Sequence, residues 1–204
     1  VPFKLDLDRP VSSLAAGEKQ KVEILKQLYL RRRFMILDEP TSSLDMSLRI
    51  HVIALLKRLQ KEFNLAYIFI SHDLSLVERI SDAVAVMYLG RIVEHAPAAA
   101  LRERAMHPYT AALFAAVPPP DPELARRVRA PIPGEIPSPL DIPRGCRFHP
   151  RCRFAVDRCL REEPELRTLG EGRSVACHLA EQIANPGPAA APRPAPAGPA
   201  GPPG

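Results

Sequence analysis

The chain has no tryptophan, ten glycines in 204 residues, and no Gly-Lys pair anywhere. Each shortage excludes something. Without a glycine at every third position, the twenty-four prolines cannot belong to a collagen-type helix, so they mark loops, connectors and tails. Without Gly-Lys there is no G-x-x-x-x-G-K-S/T loop to cradle nucleotide phosphates with backbone N–H groups and a lysine. The longest uncharged stretch, residues 105–120, holds a histidine and four prolines and falls short of the ~20 apolar residues of a membrane helix. No basic-then-apolar leader follows Val1, so the expectation is no signal peptide and an N-terminal part that precedes this sequence. Cysteine is scarce too. Four residues with no export signal are expected as reduced thiols, available to a metal rather than to disulfides.

What is present suffices for one domain with an appendage: 46% hydrophobic and 25% charged residues. The net charge of +5 permits an anionic partner without requiring one. All six lysines lie between Lys4 and Lys61, while arginine continues to Arg193.

Apolar periodicity predicts a helix over 15–30 with Val22, Leu25, Leu28 and Tyr29 on one face, closed by Arg31 to Arg33. The run Phe34-Met35-Ile36-Leu37 into Asp38-Glu39-Pro40 predicts a buried parallel strand ending in two acids. A helix over 47–62 follows, with Ile50, Ile53, Leu56 and Leu59 inward, then a strand over 65–70 before Ser71-His72-Asp73. The alternation implies an α/β sheet. A short helix over 74–80, a hairpin of 83–89 and 91–95 turning at Gly90, and helices over 97–104 and 108–117 complete residues 1–117. Nine prolines make 118–143 a connector, and residues 144–184, with Cys146 to His178 at their heart, are expected as a separate four-Cys unit. Eight prolines, six alanines and four glycines in 185–204 predict a disordered tail.

Two acids after an apolar strand sit where open α/β sheets bind ligands and suit a magnesium–phosphate site. Asp38 could hold the ion through water, and Glu39 could orient or deprotonate an attacking water. Taken alone, such a pair is more often a helix-capping pair before a loop. Three further segments remove the ambiguity. Leu14-Ala15-Ala16-Gly17-Glu18-Lys19-Gln20, Pro40-Thr41-Ser42-Ser43-Leu44-Asp45 and Ile70-Ser71-His72-Asp73, in this order, resemble the signature, the D-loop after Walker B, and the switch histidine of the ABC-transporter ATPases.

That resemblance covers about residues 11–95 and implies an incomplete ABC-type P-loop NTPase sheet with a partial helical subdomain. It implies that Ala15, Ala16, Gly17 and Glu18 face a γ-phosphate, that His72 hydrogen-bonds the same phosphate, and that Asp45 meets a second ATPase subunit in a head-to-tail dimer. ATP and Mg2+ are the implied ligands. Ala15 departs from the family, which usually carries a serine there; one neutral hydrogen bond of ~0.5–1.5 kcal/mol is lost. ATPase activity is expected only if a P-loop completes the site.

Leu55 to Glu62, Asp82 to Glu94, His107-Pro108-Tyr109-Thr110 and Ile132-Pro133-Gly134 resemble the oligopeptide/dipeptide importer ATPases, as does the cysteine-bearing segment. By contrast, Pro10 to Lys26 resembles the sugar/nucleoside importer ATPases, which suggests a hybrid with a junction near 37–43. The peptide-importer likeness implies permease subunits as membrane partners, a position on the cytoplasmic face through them, and an extracytoplasmic peptide-binding protein acting indirectly.

Cys146, Cys152, Cys159 and Cys177 are separated by five, six and seventeen residues, whereas structural zinc usually has one cysteine pair two to four apart. Longer spacing suits a bulkier iron–sulfur cluster, and in the peptide importers such a quartet can hold a four-iron four-sulfur cluster. Zinc, with His149 or His178 as ligands, and free thiols stay open. Arg144, Arg147, Arg151, Arg153, Arg158 and Arg161 would offset thiolate charge. With no aromatic platform beyond Phe148 and Phe154, they argue against nucleic acid. The alternative to an ATPase subunit is a non-catalytic iron–sulfur or zinc module on an ATPase remnant.

Overall fold

A computed structural model describes residues 10–30, 32–42, 44–117, 132 and 134–184. It divides into two compact units, Val1–Ser81 and Asp82–Gly204.

In the first unit a 3-10 turn (Val11–Ser13) leads to α1 (Ala16–Tyr29), β1 (Phe34–Asp38), α2 (Met46–Phe63), β2 (Ala66–Ile70) and α3 (Leu74–Ile80). Strands β1 and β2 pair in parallel from Phe34↔Ala66 to Asp38↔Ile70, with α2 as the crossover between them. Asp45 starts α2 by accepting from the Leu48 N–H at 2.9 Å, and Asn64 ends it in the left-handed conformation that asparagine tolerates. The core gathers Ile24, Met35, Leu44, Val52, Ile53, Leu55, Leu56, Leu59, Leu65 and Ile80.

Three expected burials fail here. Ile50 and Tyr29 are exposed, and among the described side chains of α1 Ile24 is the buried one, Leu25 and Leu28 lying outside them. The run Phe34 to Leu37 buries only Met35 fully, because Leu37, Tyr67 and Phe69 pack toward α2 while Phe34, Ile36, Ile68 and Ile70 on the opposite face are exposed. An unbroken apolar run needs both faces covered to be buried, and in this unit a helix layer covers one.

The second unit begins with the predicted hairpin, β3 (Ala83–Tyr88) and β4 (Arg91–Pro97). Its two-residue turn places Leu89 and Gly90 both at positive φ, 43° and 77°, as the tight primed turns require. Then come α4 (Ala98–Glu103), α5 (Pro108–Ala116), a 3-10 turn (His149–Arg151), α6 (Asp157–Arg161), β5 (Arg167–Gly170), β6 (Arg173–Val175) and α7 (Ala180–Ala184).

The segment expected as a separate unit shares the hairpin's sheet. Its order is β3-β4-β6-β5, with Glu94↔Val175 and His95↔Ser174 joining β4 to β6. Glu94, fully buried, accepts from the N–H groups of Met106 (2.8 Å) and His107 (2.9 Å), and so anchors the start of α5 to β4. Phe148 packs against Tyr88, Tyr109 and His107, which ties the cysteine-bearing segment to the hairpin and α5. A parallel and an antiparallel sheet with packed helices make this a mixed α/β protein. The connector expected over 118–143 lies mostly outside the described residues, and positions 132 and 134–143 carry no helix or strand. The tail over 185–204 lies outside them.

Candidate functional site

The ends of β1 and β2 bring Glu39 and His72 together. The Glu39 N–H donates to Ile70 O at 2.9 Å, which extends the strand pairing by one residue and places Glu39 beside the turn after β2. Its backbone then turns into the left-handed region, φ 44°, uncommon for glutamate and a sign of a strained loop. Glu39 Oε1 accepts from the backbone N–H of His72 (3.1 Å) and contacts His72 Nδ1 (2.7 Å). With Glu39 ionised, Nδ1 carries the proton and Nε2 is left for another donor. Glu39 Oε2 is buried with no hydrogen bond, although the side chain as a whole is 35% exposed. His72 is 78% exposed and free to reach outward.

The loop after Glu39 is held from both ends. Ser42 donates to Glu39 O through its N–H (3.2 Å) and its hydroxyl (3.0 Å), and Leu44 N–H donates to Thr41 O. Asp38 is exposed at the end of β1, opposite Ile70. Asp45 spends one carboxylate oxygen capping α2 and stays exposed. The signature residues Ala15, Ala16, Gly17 and Glu18 form the start of α1, where Glu18 Oε2 accepts from the Ala15 N–H at 2.9 Å. That is half of a capping box, the other half being a side-chain oxygen that alanine lacks.

Sequence reasoning missed two participants. Arg49 donates to Leu44 O (2.8 Å) and Ser42 O (3.4 Å) and stands 3.7 Å from Asp73, which itself caps α3 through the Leu76 N–H. The position of Arg49, four residues after a capping aspartate, was the available signal.

The second cluster lies wholly in the second unit. Gly145, at φ 68°, lets Cys146 approach Cys159, since a side chain there would lie 2.5 Å from Cys159 O. Cys146 N–H donates to that carbonyl at 2.8 Å. All four cysteines are free thiols. Burial raises Cys146 above the usual thiol range, Cys152 to about 11 and Cys177 to about 12. Thiol neighbours add to this: Cys159 acts on Cys146, Cys146 and Cys159 act on Cys152, and all three act on Cys177. Cys146, Cys152 and Cys177 are therefore within electrostatic reach of one another and of Cys159, and without a metal these three are uncharged at neutral pH. Among the described residues, no three His, Cys, Asp or Glu side chains converge as on a single metal ion. His149 and His178 contact the carbonyls of Cys146 (2.8 Å) and Glu162 (3.0 Å) instead. The expected arginine halo is largely spent elsewhere. Arg147 pairs with Glu163, Arg158 with Glu162, and Arg153, stacked on Phe154, is the arginine that lowers Cys152.

Two family models match the sequence. One, for the ABC transporter, covers residues 1–42, and one, for the oligopeptide/dipeptide transporter C-terminal region, covers residues 93–159. A probable peptide ABC transporter ATP-binding protein of Sinorhizobium fredii is 51% identical over 82% of this chain and 47% of its own length. The chain is homologous to peptide ABC transporter ATP-binding proteins. A putative oligopeptide transport ATP-binding protein of Bacillus subtilis is 46% identical over 81% of this chain and 50% of its own length. A di/tripeptide transport ATP-binding protein of Pseudomonas aeruginosa is 46% identical over 83% and 52%. The chain spans about half the length of these ABC relatives. No helix among the described residues is long and apolar enough to cross a membrane.

Proposed function

We propose that this chain supplies the hydrolytic half of an ATP site in a peptide ABC importer. The observation that carries this reading is the contact between Glu39 and His72 at adjacent strand ends, the place where parallel sheets bind ligands. In this reading Glu39 positions or deprotonates the attacking water, and His72 hydrogen-bonds the γ-phosphate. The two roles compete in the observed geometry, because Glu39 Oε1 already holds His72. Moving the His72 ring to a phosphate oxygen would release one of the two contacts on Oε1, leaving the backbone N–H of His72 in place and a lone pair for water, so phosphate capture would switch on the base. Asp38 would hold Mg2+ through water, and residues 15–18 and Asp45 would serve a second subunit across a head-to-tail dimer. Peptide transport belongs to the same proposal, supported by the names of the relatives, and permease partners and a place on the cytoplasmic face would go with it.

The chain alone lacks the Lys and glycine nest of a phosphate loop, so its phosphate release should sit at background. Robust Mg-dependent turnover by these 204 residues, lost in Glu39→Gln, would overturn that division of labour.

For the cysteines we propose an iron–sulfur cluster, with Cys146, Cys152, Cys159 and Cys177 as ligands. Four thiols that interact with one another fit the donor set, and their spacing of five, six and seventeen residues suits a larger centre better than zinc. Bound, the cluster would supply cross-linking of the segment and one-electron chemistry. Anaerobic reconstitution should give a brown protein that Cys152→Ser bleaches, whereas a colourless protein with one zinc per chain would replace the cluster by zinc.

A further inference from the structure

We propose that Arg49 is a positioning residue, a strut that makes the loop ending in Asp45 and the Glu39–His72 pair move as one piece. The proposal rests on the reading of Glu39 and His72 as the hydrolytic pair, and it begins from a closed circuit of contacts. His72 is held by Glu39 Oε1, Glu39 O by Ser42, Ser42 O and Leu44 O by Arg49, and Arg49 faces Asp73, the residue after His72. Arg49 closes that ring. It rises from the first turn of α2, one helical turn beyond Asp45, whose carbonyl accepts the Arg49 N–H at 3.0 Å.

The chemistry of the side chain suits the task. A guanidinium presents several donors in a rigid plane, so one group can serve two carbonyls and a carboxylate at once; a lysine ammonium is a point charge on a flexible stem. The partner carboxylate is divided in the same manner. Asp73 Oδ1 caps α3 through the Leu76 N–H at 3.1 Å, which leaves Oδ2 for Arg49. Arg49 thus links the start of α2 to the start of α3, with the acid and the histidine on the two connections between. The core face of α2, through Val52, Leu56 and Leu59, needs none of these contacts. A displacement of the exposed Asp45 would travel through Leu44 and Ser42 to Glu39, and through Asp73 to His72. This gives engagement at Asp45 a physical route to the acid–histidine pair.

Two readouts on the full chain test this. The Nδ1–H tautomer of His72, seen in nitrogen-15 spectra of the ring, reports the Glu39 contact, and exchange of the His72 backbone N–H reports the same carboxylate. In the wild type the Nδ1–H form should dominate and the amide should be protected. Glu39→Ala should abolish both signatures; if it leaves them unchanged, the pairing itself is wrong, and the reading of the site falls with it. With that control passed, Arg49→Ala should raise His72 amide exchange several-fold and mix the tautomers. Arg49→Lys should recover only part of the effect. Asp73→Asn, which keeps the α3 cap, should loosen His72 from the other end and covers the case in which Arg49→Ala does not fold. Wild-type signatures in Arg49→Ala or Asp73→Asn, or full recovery by lysine, would overturn the strut.

Discussion

The two units organise polar side chains in opposite ways. In the first, parallel strands end together, and the chemistry-bearing residues sit on the connections just past them, half-exposed and joined by side-chain contacts such as Glu39 with His72. In the second, antiparallel strands carry a carboxylate into the core, where Glu94 serves only backbone donors. A buried acid with both oxygens satisfied is a staple, while an acid with one oxygen on an exposed histidine and the other unpaired is poised to change partners. The contrast teaches that burial by itself does not mark the working residues of this chain.

Glu94→Ala should break the second unit hardest. It leaves two buried N–H groups without an acceptor, at roughly 1–3 kcal/mol each, so a loss of about 4 kcal/mol is expected. Hydrogen exchange should rise through β3, β4 and β6 and leave β1 and β2 unchanged; equal loosening of both units would erase the contrast. Next in size is a pH effect at His107, which burial lowers to about 4. The unfolded chain takes up that proton near the ordinary value of about 6.5, while the folded chain refuses it until about 4. Stability should therefore be full above pH 6.5, fall as the pH drops through that window by roughly 3 kcal/mol in all, and level off below. His107→Gln should flatten the dependence, measured by denaturant unfolding at several pH values.

Smaller effects sharpen the first unit. Asp45→Ala removes the cap of α2 and should cost about 1 kcal/mol in thermal unfolding of the chain, before any effect in a dimer. Ala15→Ser would complete the capping box begun by Glu18 and should stabilise α1 by about 1 kcal/mol, read as slower amide exchange over 16–20. No change would mean that the Glu18 contact already satisfies the helix start.

These residues also show where sequence reasoning succeeds and stops. The acid pair, the histidine turn and the hairpin at Leu89–Gly90 are legible because each is fixed by neighbours within a few positions. Ile50 and Tyr29 went to the wrong face because periodicity finds a stripe without saying which neighbours cover its edges. The pairing of Glu94 with Val175 spans about eighty positions, and no local signal announces it. Arg49 offered only its spacing from Asp45 as a signal, for a related reason: its partners at Ser42, Leu44 and Asp73 come together only when both loops close.

In the proposed reading Glu39 and His72 are the hydrolytic pair of an ATP site. The most direct measurement is ATP turnover and nucleotide binding by the assembled transporter carrying Glu39→Gln. Turnover should fall by about 10²–10⁴-fold, the usual worth of a positioned general base, with binding retained. Wild-type turnover in that variant would contradict the claim.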